Sequence, residues 1–174
     1  MEIRGQRITL RPITMDDLEI CTKWAADAEV MHHVIQETKT AEEEKKWLEE
    51  VLQRKDQKVL IICDENLKPI GTCGIHFVAT DPSHRNEEGI SIGIMIGDKT
   101  TWDKGYGSEV MSVLSEHVSK EYGVSRVWLT VDTVHSRVIR TYEKAGFKIV
   151  REVIAPQRIH SEGKQYIMEK RFIV

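Results

Sequence analysis

The sequence predicts an α/β chain in which one mixed sheet carries helices on both faces. Three observations predict it. Apolar residues repeat with a strand period in seven segments and a helix period in four, in the order β-α-α-β-β-β-α-β-α-β-β. Two apolar runs, "KVLIICD" and "KPIGTCGIHFVAT", meet at the turn composition "DENLKP", which marks an antiparallel hairpin. A third run, "GISIGIMIG", leads through a glycine-containing loop straight into a helix. At 174 residues, with no repeat, low-complexity linker or proline cluster, one domain over residues 1–174 is expected.

Along the chain, "QRITLRPIT" reads as a strand through Ile8 and Leu10 that ends near Pro12. "TMDDLEICTKWAADAEV" reads as one helix capped by Thr14 or Asp16, with Leu18, Cys21 and Ala25 on one face. Thr40 and Glu43 have capping-box spacing, and the helix they open carries Trp47, Leu48, Val51 and Leu52 on its buried side. Its acidic residues read as a solvated face. The hairpin follows. In "GISIGIMIG", Ile90, Ile92, Ile94 and Ile96 share one parity; Gly89, Ser91, Gly93, Met95 and Gly97 share the other. The first set is core. The second is nearly bare, shaved either for a ligand or for a packed helix. The next helix buries Val110, Val113, Leu114 and Val118, with His117 as a core or boundary residue. "SRVWLTV" is a strand, and "SRVIRTYEKAG" is a helix with Val138, Ile139 and Tyr142 on one face and Gly146 at its end. "FKIVREVI" and "KQYIMEKRF" close the sheet as strands joined through "HSEGK".

The bounds exclude several functions. A net charge of -3 argues against nonspecific nucleic-acid binding. Cys21, Cys63 and Cys73 are odd in number and lack CxxC spacing, so neither disulfides nor a metal site is expected, and the setting reads as reducing and cytoplasmic. No apolar run reaches the roughly 18 residues of a membrane span.

The loop "TTWDKGYGSEVM", residues 100–111, is where chemistry is concentrated. The first N–H groups of a helix lack internal partners and sit at the positive end of its dipole. Gly105 and Gly107 would let a phosphate or pyrophosphate approach them closely. A G-x-G pair alone is common, and it has the spacing of neither the P-loop nor the dinucleotide fingerprint.

Together, "W-x-K-G-Y-G-S-E" after that strand and "HSRVIRTYEKAGFKIV" some thirty residues on resemble the GNAT superfamily of acyl-CoA-dependent N-acetyltransferases. The opening "RITLRPIT-x-x-D" is similar to the branch that holds ribosomal-protein N-terminal, spermidine and aminoglycoside 6'-acetyltransferases. The resemblance spans nearly the whole chain. It implies a strongly twisted mixed sheet of six or seven strands with about four helices, and acetyl-CoA as cosubstrate with no metal. It implies that backbone N–H groups of Asp103, Lys104, Gly105, Tyr106, Gly107 and Ser108 cradle the pyrophosphate, with Trp102 beside them at the cofactor. The edge of Ile94, Met95 and Ile96 would pair with the pantetheine arm, and Tyr142 would protonate the departing thiolate. Two positions depart from the family pattern. Trp102 stands where the motif has Gln or Arg. His135 stands where it has an Asn that caps the helix and hydrogen-bonds the cofactor; the histidine offers a ring nitrogen for that contact, and Ser136 can serve as the cap. Arg137 and Arg140 are further candidates for the cofactor's phosphates.

The resemblance implies transfer of an acetyl group to a primary amine: a protein N-terminus, a polyamine or another small cationic amine. Many relatives carry a basic Glu two residues before the strand glycine; that position is Ser91 here. Glu88 is the candidate base, with Glu87 and His84 as alternatives, and attack with water carrying off the proton would also suffice. The partners expected are a small-molecule or peptide amine, with neither nucleic acid nor membrane, and a homodimer is compatible with the chain. Two other classes stay open: a non-catalytic acyl-CoA sensor, and a nucleotide-binding module that uses the G-x-G loop differently.

Overall fold

A computed structural model describes residues 2–33, 39–77, 87–155 and 163–173. The strands are β1 (Ile3–Arg4), β2 (Thr9–Pro12), β3 (Gln57–Cys63), β4 (Pro69–His76), β5 (Ile90–Ile96), β6 (Arg126–Asp132), β7 (Lys148–Ile154) and β8 (Lys164–Arg171). They form one sheet in the order β1-β2-β3-β4-β5-β6-β8-β7. Every pairing is antiparallel except β5 with β6. The sheet therefore has one strand more than expected, the two-residue β1.

Period-two alternation splits the core by face. Leu60 and Ile62 of β3 join the larger cluster; Ile61 and Cys63, which alternate with them, join the other. The larger face packs under α4 (Tyr106–Tyr122) and α5 (Ser136–Lys144) through Val110, Met111, Leu114, Val118 and Tyr142. The opposite face packs under α1 (Leu18–Ala25), α2 (Ala28–His33) and α3 (Ala41–Val51) through Cys21, Trp24, Val30, Leu48 and Val51.

Short-range chemistry sets the helix starts. Thr40 and Glu43 bond reciprocally, Glu43 N–H to Thr40 Oγ1 at 3.2 Å and Thr40 N–H to Glu43 Oε2 at 2.7 Å. Thr14 N–H donates to Asp17 Oδ2 at 2.9 Å, and Asp17 also takes both guanidinium nitrogens of Arg11 at 2.9 and 2.7 Å. That pairing holds the Asp17 carboxyl below its usual range against the opposing effect of burial. The single helix expected over residues 14–30 is broken after Ala25. The Asp27 side chain accepts from Glu29 N–H and Val30 N–H, and so starts α2 on its own axis.

β5 and β6 pair only at Ile90↔Val127 and Ser91↔Trp128, then part. β5 stays with β4 as far as Ile96, and β6 stays with β8 as far as Asp132. The sparse face of β5 has a mixed fate. At Gly97 the Trp24 ring lies so close that an added Cβ would sit 2.2 Å from it, whereas a Cβ on Gly93 would meet nothing within 4 Å. Gly97→Ala therefore forces the buried indole off its seat. A loss of about 1–3 kcal/mol is expected in urea unfolding, without change of fold by circular dichroism.

Candidate active site

The loop between β5 and α4 is shaped by backbone strain and short side-chain bonds. Asp98 accepts from Thr100 N–H at 3.0 Å and opens a 3-10 turn over Lys99–Thr101. Asp103 has φ 61, in the left-handed region that Asp tolerates better than most residues. Gly105 has φ 83 and is the N-cap of α4; no side chain there accepts from the first turn. The N–H groups of Tyr106, Gly107 and Ser108 consequently begin the 17-residue helix uncapped, at the positive end of its dipole. Gly107 has ordinary φ, but its Cβ direction points at Thr141 (3.1 Å) and Ile94 (3.9 Å), across the gap between α4, α5 and β5.

Arg7 braces this loop from behind. Its backbone N–H and Nε donate to Glu109 at 2.7 and 3.0 Å, its Nη1 donates to the Lys104 carbonyl at 2.9 Å, and its guanidinium lies 4.6 Å from the centre of the Tyr106 ring. Tyr106 in turn donates to Glu65 at 2.5 Å.

The parting of β5 from β6 opens a cleft of about 330 Å³ between β5, the loop and α5, closed on one side by Val30 of α2. Among the expected residues, the cleft gathers Ile94, Met95, Ile96, Trp102, Asp103, Gly105, Tyr106, Gly107, Ser108, Arg137, Arg140 and Tyr142 into its wall. Lys144 joins them, one helical turn after Arg140. Sequence reading missed it, although its i,i+4 spacing from Arg140 was available as a signal. Arg137 is spoken for: it bonds Asp103 at 3.0 Å and lies 4.9 Å over the Trp102 ring. Arg140 and Lys144 pair with no carboxylate among the described residues. The Trp102 indole N–H donates to the Ile96 carbonyl at 2.9 Å, which anchors the loop to the end of β5.

Tyr142 is 6% exposed and lines the cleft. Burial pushes its phenol well above the ordinary value of 10.0, so it stays protonated across the physiological range. The remaining expected residues lie elsewhere. Lys104 is outside the cleft wall and offers its carbonyl to Arg7. His135 is buried at the N-cap of α5 without capping it, edge-on to His32 at 5.2 Å and 3.8 Å from Asp132. Glu88 is exposed in the turn before β5 and does not line the cleft. The Glu87 side chain is 7% exposed and bridges Arg126 and Arg151 in an ion network that also takes in Glu169. His84 lies outside the described residues.

Among the described residues no cluster of three or more His, Cys, Asp or Glu could hold a metal ion, and no helix is long and apolar enough to cross a membrane.

Comparison with known proteins agrees with this geometry. Residues 7–148 match a family model described as an acetyltransferase (GNAT) domain. An uncharacterized protein of Methanocaldococcus jannaschii is 26% identical over 144 residues, 82% of this chain; the chain spans 28% of that protein's length. Among solved structures, a GNAT-family acetyltransferase from Bacillus anthracis superposes with a TM-score of 0.80 at 18% identity over 98% of each chain. The aminoglycoside acetyltransferase AAC(6')-Ib in complex with coenzyme A gives 0.81 at 23% identity over 94% of each chain. The spermidine N-acetyltransferase of Vibrio cholerae, in complex with CoA and spermine, gives 0.80 at 14% identity over 96% of each chain. The structural likenesses establish the fold, and the family match over most of its length shows that this chain belongs to the GNAT acetyltransferase family.

Proposed function

We propose that the chain transfers an acetyl group from acetyl-CoA to a primary amine, such as a protein N-terminus, a polyamine or another small cationic amine, by direct attack on the thioester. One observation carries the reading: a single cleft brings together the uncapped start of α4, the strand edge freed where β5 leaves β6, and the Tyr142 hydroxyl. The first suits a pyrophosphate, with Arg140 and Lys144 as nearby cations. The second suits an amide-rich arm that pairs with Ile94 to Ile96 as an added strand, and a backbone N–H there would polarise the thioester carbonyl. The bound coenzyme A of two similarly folded proteins, and the spermine of one of them, support the choice of cosubstrate and of an amine acceptor.

In the reaction the amine nitrogen forms the new C–N bond and sulfur leaves with the C–S electron pair. The free thiol has a pKa near about 8.5, so the thiolate is a fair leaving group that a neighbouring phenol improves. Tyr142 supplies that proton from the cleft wall. The acceptor ammonium, with a pKa near about 10, must first lose a proton. Glu88 and Glu87 do not reach the cleft wall, and Asp103, which does, is tied to Arg137. The Tyr142 hydroxyl argues for catalysis over a purely sensory acyl-CoA site.

Acetyl-CoA is expected to raise the melting temperature where ATP and NAD do not. A screen over polyamines, aminoglycosides and short peptides should then yield an acceptor by thiol release. Binding without turnover of any amine would favour the sensor. Gly107→Val points a side chain at Thr141 and Ile94, and calorimetry should show CoA binding weakened about tenfold or more as the N–H cradle is blocked. Parent-like affinity would remove this loop from phosphate binding. Tyr142→Phe keeps its ring packing, so CoA affinity should hold while kcat falls about tenfold to a thousandfold. Unchanged kcat would leave Tyr142 as a packing residue.

A further inference from the structure

The proposed reaction leaves the acceptor's proton without a named base, and the sheet supplies one that no sequence motif marks. We propose that His76 is the general base, its Nε2 directed at the acceptor amine across a shelf made by Gly74 and Gly93; the proposal rests on the acetyl-transfer reading above.

The argument begins with register. Thr72↔Met95, Gly74↔Gly93 and His76↔Ser91 are successive same-face pairs of β4 and β5. Met95 is in the cleft wall; His76, Gly74 and Gly93 lie outside it, but their strand face runs directly into it at Met95. Ser91 occupies the position at which a carboxylate base would have been expected, so His76 stands directly opposite the vacancy in function. Between His76 and Met95 this face of β4 and β5 carries no side chain, because both members of the middle pair are glycine.

The imidazole uses that room. A Cβ on Gly74 would lie 2.9 Å from His76 Nε2, so the ring leans along β4 over Gly74, toward the Met95 end. A Cβ on Gly93 would meet nothing within 4 Å, so the space beside the ring is open. From His76 to the level of Met95 is four residues of strand; leaning over Gly74 halves the separation to about 7 Å, two residues at the usual rise. An amine with one bridging water spans that interval.

The ring's surroundings keep it in the basic form. Burial is the main influence and disfavours the imidazolium; the Arg54 cation acts in the same sense and Asp56 opposes it. Arg54 and Asp56 are bonded to each other at 2.6 and 2.8 Å, so their fields at His76 largely cancel. The cross-strand neighbours, Gln57 of β3 and Ser91 of β5, are uncharged. Nδ1 has no partner among the described residues, so no carboxylate holds the ring as a cation. With hydrogen on Nδ1, the Nε2 lone pair accepts one proton from the amine, directly or through water, as nitrogen forms the C–N bond. The C–S electrons leave on sulfur, which takes the Tyr142 proton. Exchange with water resets both residues.

The test compares parent, His76→Gln and His76→Ala with acetyl-CoA and a panel of spermidine, kanamycin and an alanine-initiated tripeptide. With His76→Gln, CoA affinity and melting temperature should stay at parent values while kcat at neutral pH falls about a hundredfold. The deficit should shrink toward about pH 9.5, where the amine sheds its own proton. Added imidazole should restore rate to His76→Ala, a rescue that a packing role would not show. Parent-like kcat and pH profile in His76→Gln, with CoA still bound, would overturn the proposal alone. A parent that binds no CoA or releases no thiol with any of the three amines overturns the acetyl-transfer reading and this base with it. If the glutamine variant does not fold, His76→Asn decides on the same profile.

Discussion

The site depends on one departure from regular sheet: β5 and β6 run together for two residue pairs and then separate. At the closed end the separation has a fulcrum. The backbone of Gly89 presses so close to Arg126 that an added Cβ would sit 2.3 Å from its carbonyl oxygen, and the Arg126 side chain reaches back to the Glu88 carbonyl at 2.7 Å. Glu87 and Glu169 hold that guanidinium in place. At the open end each strand keeps its other neighbour. Gly97 N–H and Asp98 N–H both donate to the Ile70 carbonyl at 2.9 Å, and β6 remains laddered to β8. Sheet twist then carries the two strands apart. The wedge left between them is the cleft, and the freed edge of β5 is its backbone-lined wall.

Charge around the loop is disposed so that its shape is held without spending its N–H groups. Glu109, in the first turn of α4, is favourable to the helix dipole but would repel a bound anion. Arg7 neutralises it and steadies the Lys104 carbonyl with the same guanidinium. Asp103 is answered by Arg137. Of the cations in the cleft wall, those without a carboxylate partner among the described residues are Arg140 and Lys144 on α5. The uncompensated charge of the wall is therefore positive, although the whole chain carries -3.

Local chemistry was legible in the sequence and long-range contact was not. The Thr40–Glu43 box, the hairpin at "DENLKP" and the turn at Gly105 each depend on residues within a few positions of one another. The parity of "GISIGIMIG" assigned faces correctly, yet Ile94 and Ile96 are only partly buried where Ile90 and Ile92 are buried. Parity says which way a side chain points, not that the adjacent strand has left. Asp27 was a readable cap signal that a continuous apolar stripe concealed. His135 was expected to face the cofactor; its ring instead meets His32, about a hundred positions earlier, and a single sequence carries no sign of such a pairing. Arg7 and His76 escaped notice for the same reason. One acts on a loop nearly a hundred residues away, and the other matters only because β4 and β5 align two glycines.

Tyr142 shows why burial and function are compatible at one residue. Its ring belongs to the main core and tilts against Phe147 at 6.4 Å, so hydrophobic packing alone accounts for an aromatic residue here. Packing does not account for the hydroxyl. A buried polar group without a partner costs about 1–3 kcal/mol, and among the described residues the Tyr142 hydroxyl has none. Phenylalanine would fill the same volume without that cost. The hydroxyl is tolerable only because this side chain borders the cleft, where water or a ligand atom can pair with it. The burial that raises the phenol's pKa also keeps its proton in place at neutral pH, available to negative charge that forms beside it. A thiolate, whose conjugate acid has a pKa of about 8.5, is a weaker base than the phenolate, so the hydroxyl acts first by hydrogen-bonding the sulfur as charge gathers there and the C–S bond breaks. The hydroxyl thus gains its full partner in the transition state rather than in the resting protein, the circumstance in which a hydrogen bond contributes to rate instead of to binding.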